Sequence, residues 1–103
     1  MVRVRDKGLV VFTACSHAGV VNVLTHARAT FPDTPLHAVM GGLHLSGAGP
    51  EKIIPETVQG LTAFGLQMIV PAHCTGWRAV TALVNTFGDG VVAPAAVGKQ
   101  YTF

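Results

Sequence analysis

Three histidines follow three apolar segments of this 103-residue chain, each near the point where the segment ends. His17 closes "LVVFTACSH", His44 closes "LHAVMGGLH" and His73 closes "LQMIVPAH". Neutral imidazole is the commonest metal ligand in proteins, and three imidazoles suit zinc, manganese or iron. A single histidine at a strand end usually serves as a hydrogen-bonding group, so the hypothesis depends on the threefold recurrence. The sequence therefore predicts a divalent transition-metal site, zinc or else manganese or iron, formed by His17, His44 and His73.

Two cysteines and a serine lie beside these histidines: Cys15 and Ser16 precede His17, and Cys74 follows His73. The thiols are open to three interpretations: metal ligands, a nucleophile with a histidine base, or small residues packed beneath a strand end. We favour packing. With no secretory signal, two reduced thiols are expected rather than a disulfide. Ser16 either positions a ligand or caps the helix that follows.

The spacing of the histidines predicts repeated strand–helix units, because successive histidines are separated by close to the roughly 30 residues of one βαβ unit. The predicted strands, 9–15, 36–43 and 66–72, are nearly continuous apolar runs, which is typical of parallel strands buried on both faces. If these strands are neighbours, their carboxyl ends meet at one edge of the sheet, where α/β proteins bind ligands. The elements around them are a short basic N-terminal strand, helices from about Val20 to Phe31, from near Pro55 to Phe64 and from Thr75 to Phe87, and one or two strands after Gly88. We expect Thr75 to be the N-cap of the third helix and Trp77 to lie on its buried stripe.

Right-handed crossovers place the helices of such a unit on one face of the sheet. Because the three predicted helices all lie on one face, no predicted element of residues 1–103 covers the other face of the sheet. Half of the residues are apolar and only 12% are charged, a large core for so short a chain. The sequence thus predicts that a second body, either another copy of the chain or a partner segment, packs on the uncovered face.

Composition argues against several classes of protein. The net charge of +2 and the scattered basic residues do not form the dense basic stripe of a nucleic-acid-binding protein. The apolar runs fall far short of the roughly 20 residues of a membrane span, and we expect a cytoplasmic protein. "GGLHLSGAG" has neither a dinucleotide fingerprint nor a P-loop lysine. We expect His26 and His37 to be surface or hydrogen-bonded histidines that bind no ligand. We expect the acidic residues to lie away from the strand ends: Asp6, Asp33, Glu51, Glu56 and Asp89.

Three blocks in this order, "CSHAGVVN", "GGLHL" and "PAHCTGWRA", resemble the C-terminal half of metallo-β-lactamase-fold hydrolases. The branch they resemble most is the one similar to archaeal dihydropterin ribofuranosylaminobenzene phosphate synthase. The resemblance runs from about Gly8 to Phe103 and implies an αββα sandwich with a two-metal site at the edge between two sheets. It places His17 and His73 at metal-ligand positions. The family usually carries a bridging aspartate on the strand that here ends in "GGLHL", where this sequence has His44 instead.

The HxHxDH block of the family belongs to its N-terminal half, and no segment of residues 1–103 matches it. We therefore expect residues 1–103 to form a single partial domain, half of the sandwich, with one mostly parallel sheet and about three helices on one face. We assign no catalytic residue and expect the isolated chain to be inactive or to depend on a partner half. That partner is a second copy bound to the uncovered face or a separate N-terminal half. The alternatives are a non-catalytic homodimeric interaction or remnant module, and a thiol enzyme that uses Cys15 or Cys74.

Overall fold

A computed structural model describes residues 1–103, which form one four-stranded sheet in the order β1-β2-β3-β4. The strands are β1 (Val2–Val4), β2 (Gly8–Thr13), β3 (Leu36–Gly42) and β4 (Met68–Ala72). β1 pairs with β2 in antiparallel orientation, whereas β2, β3 and β4 are parallel neighbours. The predicted mostly parallel sheet is confirmed, and so is the adjacency of the three strands that precede the histidines.

Three helices connect and follow the parallel strands: α1 (Val20–Thr30), α2 (Ile54–Leu61) and α3 (Trp77–Phe87). α1 ends before Pro32, and the last turn after α2 ends at Gly65, whose φ of 65° is the left-handed conformation that glycine accepts most readily. A short 3-10 turn, His73–Thr75, joins β4 to α3. No helix combines the length and the apolar character that crossing a membrane requires.

The helices pack on one face of the sheet, as predicted. Val11, Val39 and Ile69 lie side by side in the register of β2, β3 and β4, and all three belong to the main buried cluster. Each helix adds buried side chains to it: Val20, Leu24 and Ala27 from α1, Ile54, Val58 and Leu61 from α2, and Ala79 and Leu83 from α3. Full burial of one such large aliphatic side chain contributes about 1.5–3 kcal/mol, so this cluster holds the three strand ends in fixed positions.

The opposite face is partly covered from within the chain, which corrects the prediction of a bare face. Val10, Ala38 and Val70 are fully buried but lie outside the helix-facing cluster. The ring of Phe103 packs edge-on against Phe12 of β2, with ring centroids 6.2 Å apart. Phe12 nevertheless remains 51% exposed, so the cover is incomplete.

The C-terminal segment reaches this face along the free edge of β4. Ile69 donates its N–H to the Val91 carbonyl at 2.8 Å, and the N–H groups of Ala93 and Ala95 donate to the carbonyls of Ile69 and Pro71. The segment forms one isolated bridge, Ile69 with Val92, instead of the one or two strands expected after Gly88. These bonds satisfy the N–H and carbonyl groups of Ile69 and the carbonyl of Pro71, whereas Pro71 has no N–H to donate back to the segment, which interrupts the ladder.

Candidate metal centre

Three loops meet at the carboxyl-end edge of the parallel strands. β2 ends at Thr13 and leads to His17, β3 ends at Gly42 and leads to His44, and β4 ends at Ala72 directly before His73. The structure divides the three predicted ligands between two neighbouring groups of side chains. The ligand atoms of Cys15, His73 and Cys74 all lie within 4.8 Å of one another. Those of His17, His44 and His73 do not form such a group.

His17 and His44 form the first group. Their rings are tilted by 51° and their centroids lie 4.4 Å apart. His17 is exposed and His44 is half-buried, and both line a cavity of about 350 Å³ between the β2 and β3 loops and α2. Two imidazoles side by side on an open cavity are a donor set that fits a divalent transition metal with room for water or substrate.

Cys15, His73 and Cys74 form the second group, which we call the thiol cluster. The Sγ atom of Cys15 lies 3.1 Å from Nε2 of His73, and the Cys74 thiol donates to the Cys15 carbonyl at 3.6 Å. Both thiols are free and half-buried, and His73 is exposed. The two cysteines, which the sequence suggested as packing residues, thus share one site with a predicted ligand.

Glycine at position 42 makes room for the thiol cluster. A Cβ atom there would lie 2.6 Å from the Cys74 Sγ and 2.6 Å from the His73 Cε1, closer than carbon atoms approach these groups. Gly42 also donates its N–H to the Ala14 carbonyl at 2.9 Å, which ties the β2 loop to the end of β3. The cluster therefore sits directly on the backbone of β3.

The turn that carries His73 and Cys74 is fixed by buried hydrogen bonds. The hydroxyl of Thr75, which is 1% exposed, donates to the Ala72 carbonyl at 2.7 Å and accepts the Leu43 N–H at 3.1 Å. The Cys74 carbonyl accepts the N–H groups of Leu45 and Ser46 at 3.0 and 3.1 Å. Thr75 was predicted to cap α3. It instead joins β4 to the β3 loop, and Gly76 precedes the helix.

Two residues of the site adopt left-handed backbone conformations without being glycine. The φ angles are 58° for Ser16 and 52° for His44. Such conformations cost of order 1–3 kcal/mol, persist only where the surrounding structure imposes them, and cluster at functional sites. Ser16 does not cap α1, since its hydroxyl lies 2.8 Å from the hydroxyl of Thr13.

The Cys15 thiol has a raised pKa. Its partial removal from water disfavours the thiolate, and the hydrogen bond and the charge of neighbouring Cys74 act in the same direction. A raised thiol pKa lowers the thiolate fraction at neutral pH. It thereby disfavours Cys15 as a nucleophile in the metal-free protein.

Two further residues lie where the sequence did not indicate. Glu56 of α2 lines the same cavity as His17 and His44, although it was expected away from the strand ends. Trp77 was expected in the core of α3 but is 71% exposed, with the Arg78 guanidinium 4.9 Å from its ring centroid. Whether a residue in the first turn of a helix is buried depends on how that turn packs against the sheet, and the periodicity of the sequence does not indicate this.

Comparison with known proteins gives consistent results. No family model matches the chain. It is 33% identical over 86 residues to the 7,8-dihydropterin-6-methyl-4-(beta-D-ribofuranosyl)-aminobenzene-5'-phosphate synthase of Methanocaldococcus jannaschii, covering 84% of this chain and 29% of that protein. It is also 33% identical over 88 residues to an uncharacterized protein of the same organism, covering 84% of this chain and 32% of the relative.

A solved structure supports the same assignment. The crystal structure of Tm1679, a metal-dependent hydrolase of the beta-lactamase superfamily, superposes with a TM-score of 0.87 and 34% sequence identity. The match covers 99% of this chain and 38% of that one. The chain thus spans about a third of the length of the relatives that it matches. In sequence and in fold, this chain is similar to part of a metal-dependent hydrolase of the beta-lactamase superfamily, and its resemblance to the branch of the dihydropterin phosphate synthase is confirmed.

Proposed function

We propose that the carboxyl-end edge of the sheet is one wall of a divalent transition-metal centre in a metal-dependent hydrolase, with His17 and His44 as nitrogen ligands at one position and His73 as a nitrogen ligand at the neighbouring one. The observation that carries this proposal is the pair of imidazoles, His17 and His44, whose ring centroids lie 4.4 Å apart on an open cavity. His73 follows the next parallel strand at the same edge. The similarity to a metal-dependent hydrolase supports the presence of a metal.

A bound divalent ion would lower the pKa of a coordinated water toward about 7 and would polarise an ester, lactone or thioester carbonyl or a phosphoryl oxygen. His17 and His44 would hold such an ion at the cavity. Glu56 supplies the cavity with a carboxylate that accepts protons or orients a polar substrate group. The cavity walls from the β2 and β3 loops and α2 would set which substrate enters.

The number of ligands limits what these residues do alone. The thiol cluster is the only group of three or more His, Cys, Asp or Glu side chains within ligand reach of one another, and no carboxylate belongs to it. We propose that a second body completes the hydrolytic centre and that the 103-residue chain by itself turns over little or no substrate.

For the chain purified by itself, we propose that the second body is another copy of the chain, docked on the sheet face that carries Phe12. Half of the Phe12 surface is exposed there, beside a face whose other central residues, Val10, Ala38 and Val70, are fully buried. Homo-oligomers most often close through a two-fold axis, which would bring the same patch of both copies together. In this form the chain is either an active dimer or a non-catalytic interaction module.

Zinc affinity, measured by competition with a chromophoric chelator, tests the metal proposal. We expect His17→Ala and His44→Ala to weaken zinc binding by at least about 10-fold, because each removes a donor. His26→Ala, on the exposed surface of α1, is the matched control and should leave the affinity unchanged. Equal affinities in all four proteins would overturn the assignment of the histidines. Hydrolysis assays on phosphate esters, lactones and thioesters then separate an active centre from a metal-binding module.

A further inference from the structure

We infer that Cys15, His73 and Cys74 form a thiolate-rich transition-metal site, a second donor set beside the His17–His44 pair. The inference shares with the proposed function only the role of His73 as a ligand. It adds two sulfur donors that the resemblance does not assign and that the sequence alone suggests as packing residues.

The geometry of the donors fits a zinc-sized ion. Zn–S bonds of about 2.3 Å and Zn–N bonds of about 2.0 Å at the tetrahedral angle require donor separations of roughly 3.5–3.8 Å. Cys15 Sγ and His73 Nε2 lie 3.1 Å apart, and all three donor atoms lie within 4.8 Å of one another. Side-chain rotations that move the donors by less than about 1 Å would bring all three into the required range.

The site is built by its surroundings rather than assembled by chance on the surface. The missing Cβ of Gly42 provides the space that the Cys74 sulfur and the His73 ring occupy. The Cys74 carbonyl is held by two backbone N–H groups, and the buried Thr75 hydroxyl joins two strand ends beneath it. Ligands held in this way lose little conformational freedom when the ion binds.

The donor set selects the ion. Two thiolates and an imidazole favour zinc or another soft or borderline cation over magnesium, calcium or manganese, which prefer oxygen donors. On binding, two metal–sulfur bonds form and the two thiol protons pass to solvent. The exposed side of His73 leaves the fourth position to water or to a donor from the second body.

Cobalt(II) titration of the fully reduced chain is the direct test, because thiolate-to-cobalt charge transfer gives a near-ultraviolet absorption that imidazole ligands do not. A phosphine reductant is used, and thiol titration first verifies two free cysteines. We expect the wild-type chain to show this absorption, Cys15→Ser and Cys74→Ser each to lose about half of it, and His73→Ala to weaken cobalt affinity by at least about 10-fold. His17→Ala and His44→Ala should retain the absorption.

The outcomes separate this inference from the proposed function. Stoichiometric cobalt without the charge-transfer absorption would mean a histidine-only site, which overturns the inference and leaves the proposed function standing. The absorption retained in His17→Ala and His44→Ala with unchanged zinc affinity would support the inference and contradict the assignment of those two histidines. No cobalt binding at all would overturn both.

A measurement on the wild-type chain guards against variants that fail to fold. Zinc should slow iodoacetamide labelling of both Cys15 and Cys74, each followed by peptide mass spectrometry, by at least about 10-fold. Equal labelling rates with and without saturating zinc would overturn the inference without recourse to any substitution.

Discussion

Cys15 Sγ and His73 Nε2 lie 3.1 Å apart although their loops follow β2 and β4, which are not neighbours in the sheet. β3 lies between them and ends at Gly42, directly below the point of contact. The two loops thus meet across the end of the middle strand. Any side chain at position 42 would occupy the space in which they meet.

Gly42→Ala should therefore weaken cobalt or zinc binding at the thiol cluster without removing a ligand. The added Cβ would lie 2.6 Å from both the Cys74 sulfur and the His73 ring and 2.7 Å from the Ala14 carbonyl oxygen, so both ligands and the β2 loop must move. We expect the affinity to fall by about 10–100-fold, the range found when a supporting group around a metal is lost. Gly49→Ala, which places its Cβ in open space, is the control. Equal affinities in Gly42→Ala and Gly49→Ala, with both folded by circular dichroism, would contradict this view of the cluster.

Thr75→Val should destabilise the fold, because it removes a hydroxyl that is 1% exposed and makes two hydrogen bonds. The Leu43 N–H would lose its partner, and an unpaired buried group costs about 1–3 kcal/mol in the free energy of unfolding. Urea unfolding measures this loss. Thr81→Val, which loses only an exposed hydroxyl bond to Trp77, should change the free energy of unfolding by less than about 0.5 kcal/mol. A Thr75→Val protein as stable as the wild type would refute the role of this hydroxyl.

The metal-free chain should react slowly with iodoacetamide at Cys15 near pH 7. The raised pKa of this thiol keeps it protonated there, so its labelling rate should rise with pH through a midpoint above the ordinary cysteine value. Cys74→Ala removes the hydrogen bond and the charge that contribute to the shift, and the midpoint should move down. Rapid labelling of Cys15 at neutral pH would instead support a thiol enzyme.

The purified chain should be a dimer in solution, and Phe12→Ser should shift it toward the monomer. Phe12 is 51% exposed on the sheet face opposite the helices. Phe31→Ser changes a similarly exposed ring just after α1 and should leave the mass unchanged. Light scattering after size exclusion measures both. A stable, well-folded wild-type monomer would reject the dimer.

Much of the architecture was predictable because its signals are local. Apolar runs that end at glycine-rich turns indicate the parallel strands, and a stripe such as Val20, Leu24 and Ala27 indicates a helix that faces the sheet. The three strand ends converge because β2, β3 and β4 are neighbours in the sheet, and the regular spacing of the histidines suggested this arrangement. The grouping of the histidines does not follow from spacing. It depends on which loops cross the end of β3, and therefore on the backbone of Gly42.

The residues that sequence reasoning misplaced share one property: each depends on contacts between elements distant in the chain. Thr75 resembles a helix cap in the sequence, yet its hydroxyl is used between β4 and the β3 loop. Glu56 is on a helix, and only the packing of α2 brings it to the cavity of His17 and His44. The segment that contains Pro94 has no periodic pattern, and its path along β4 is set by the free edge of that strand.

His73 is the one residue that is both a proposed histidine ligand and a member of the thiol cluster, so the metal content of His73→Ala tests the account most directly. After loading with zinc and extensive dialysis, the wild-type chain and His26→Ala should retain zinc in stoichiometric amounts. His73→Ala, folded by circular dichroism, should retain little of it. Zinc retained equally by His73→Ala and the wild type would contradict His73 as a metal ligand. Zinc retained by neither the wild type nor His26→Ala would contradict a metal centre at the ends of these strands.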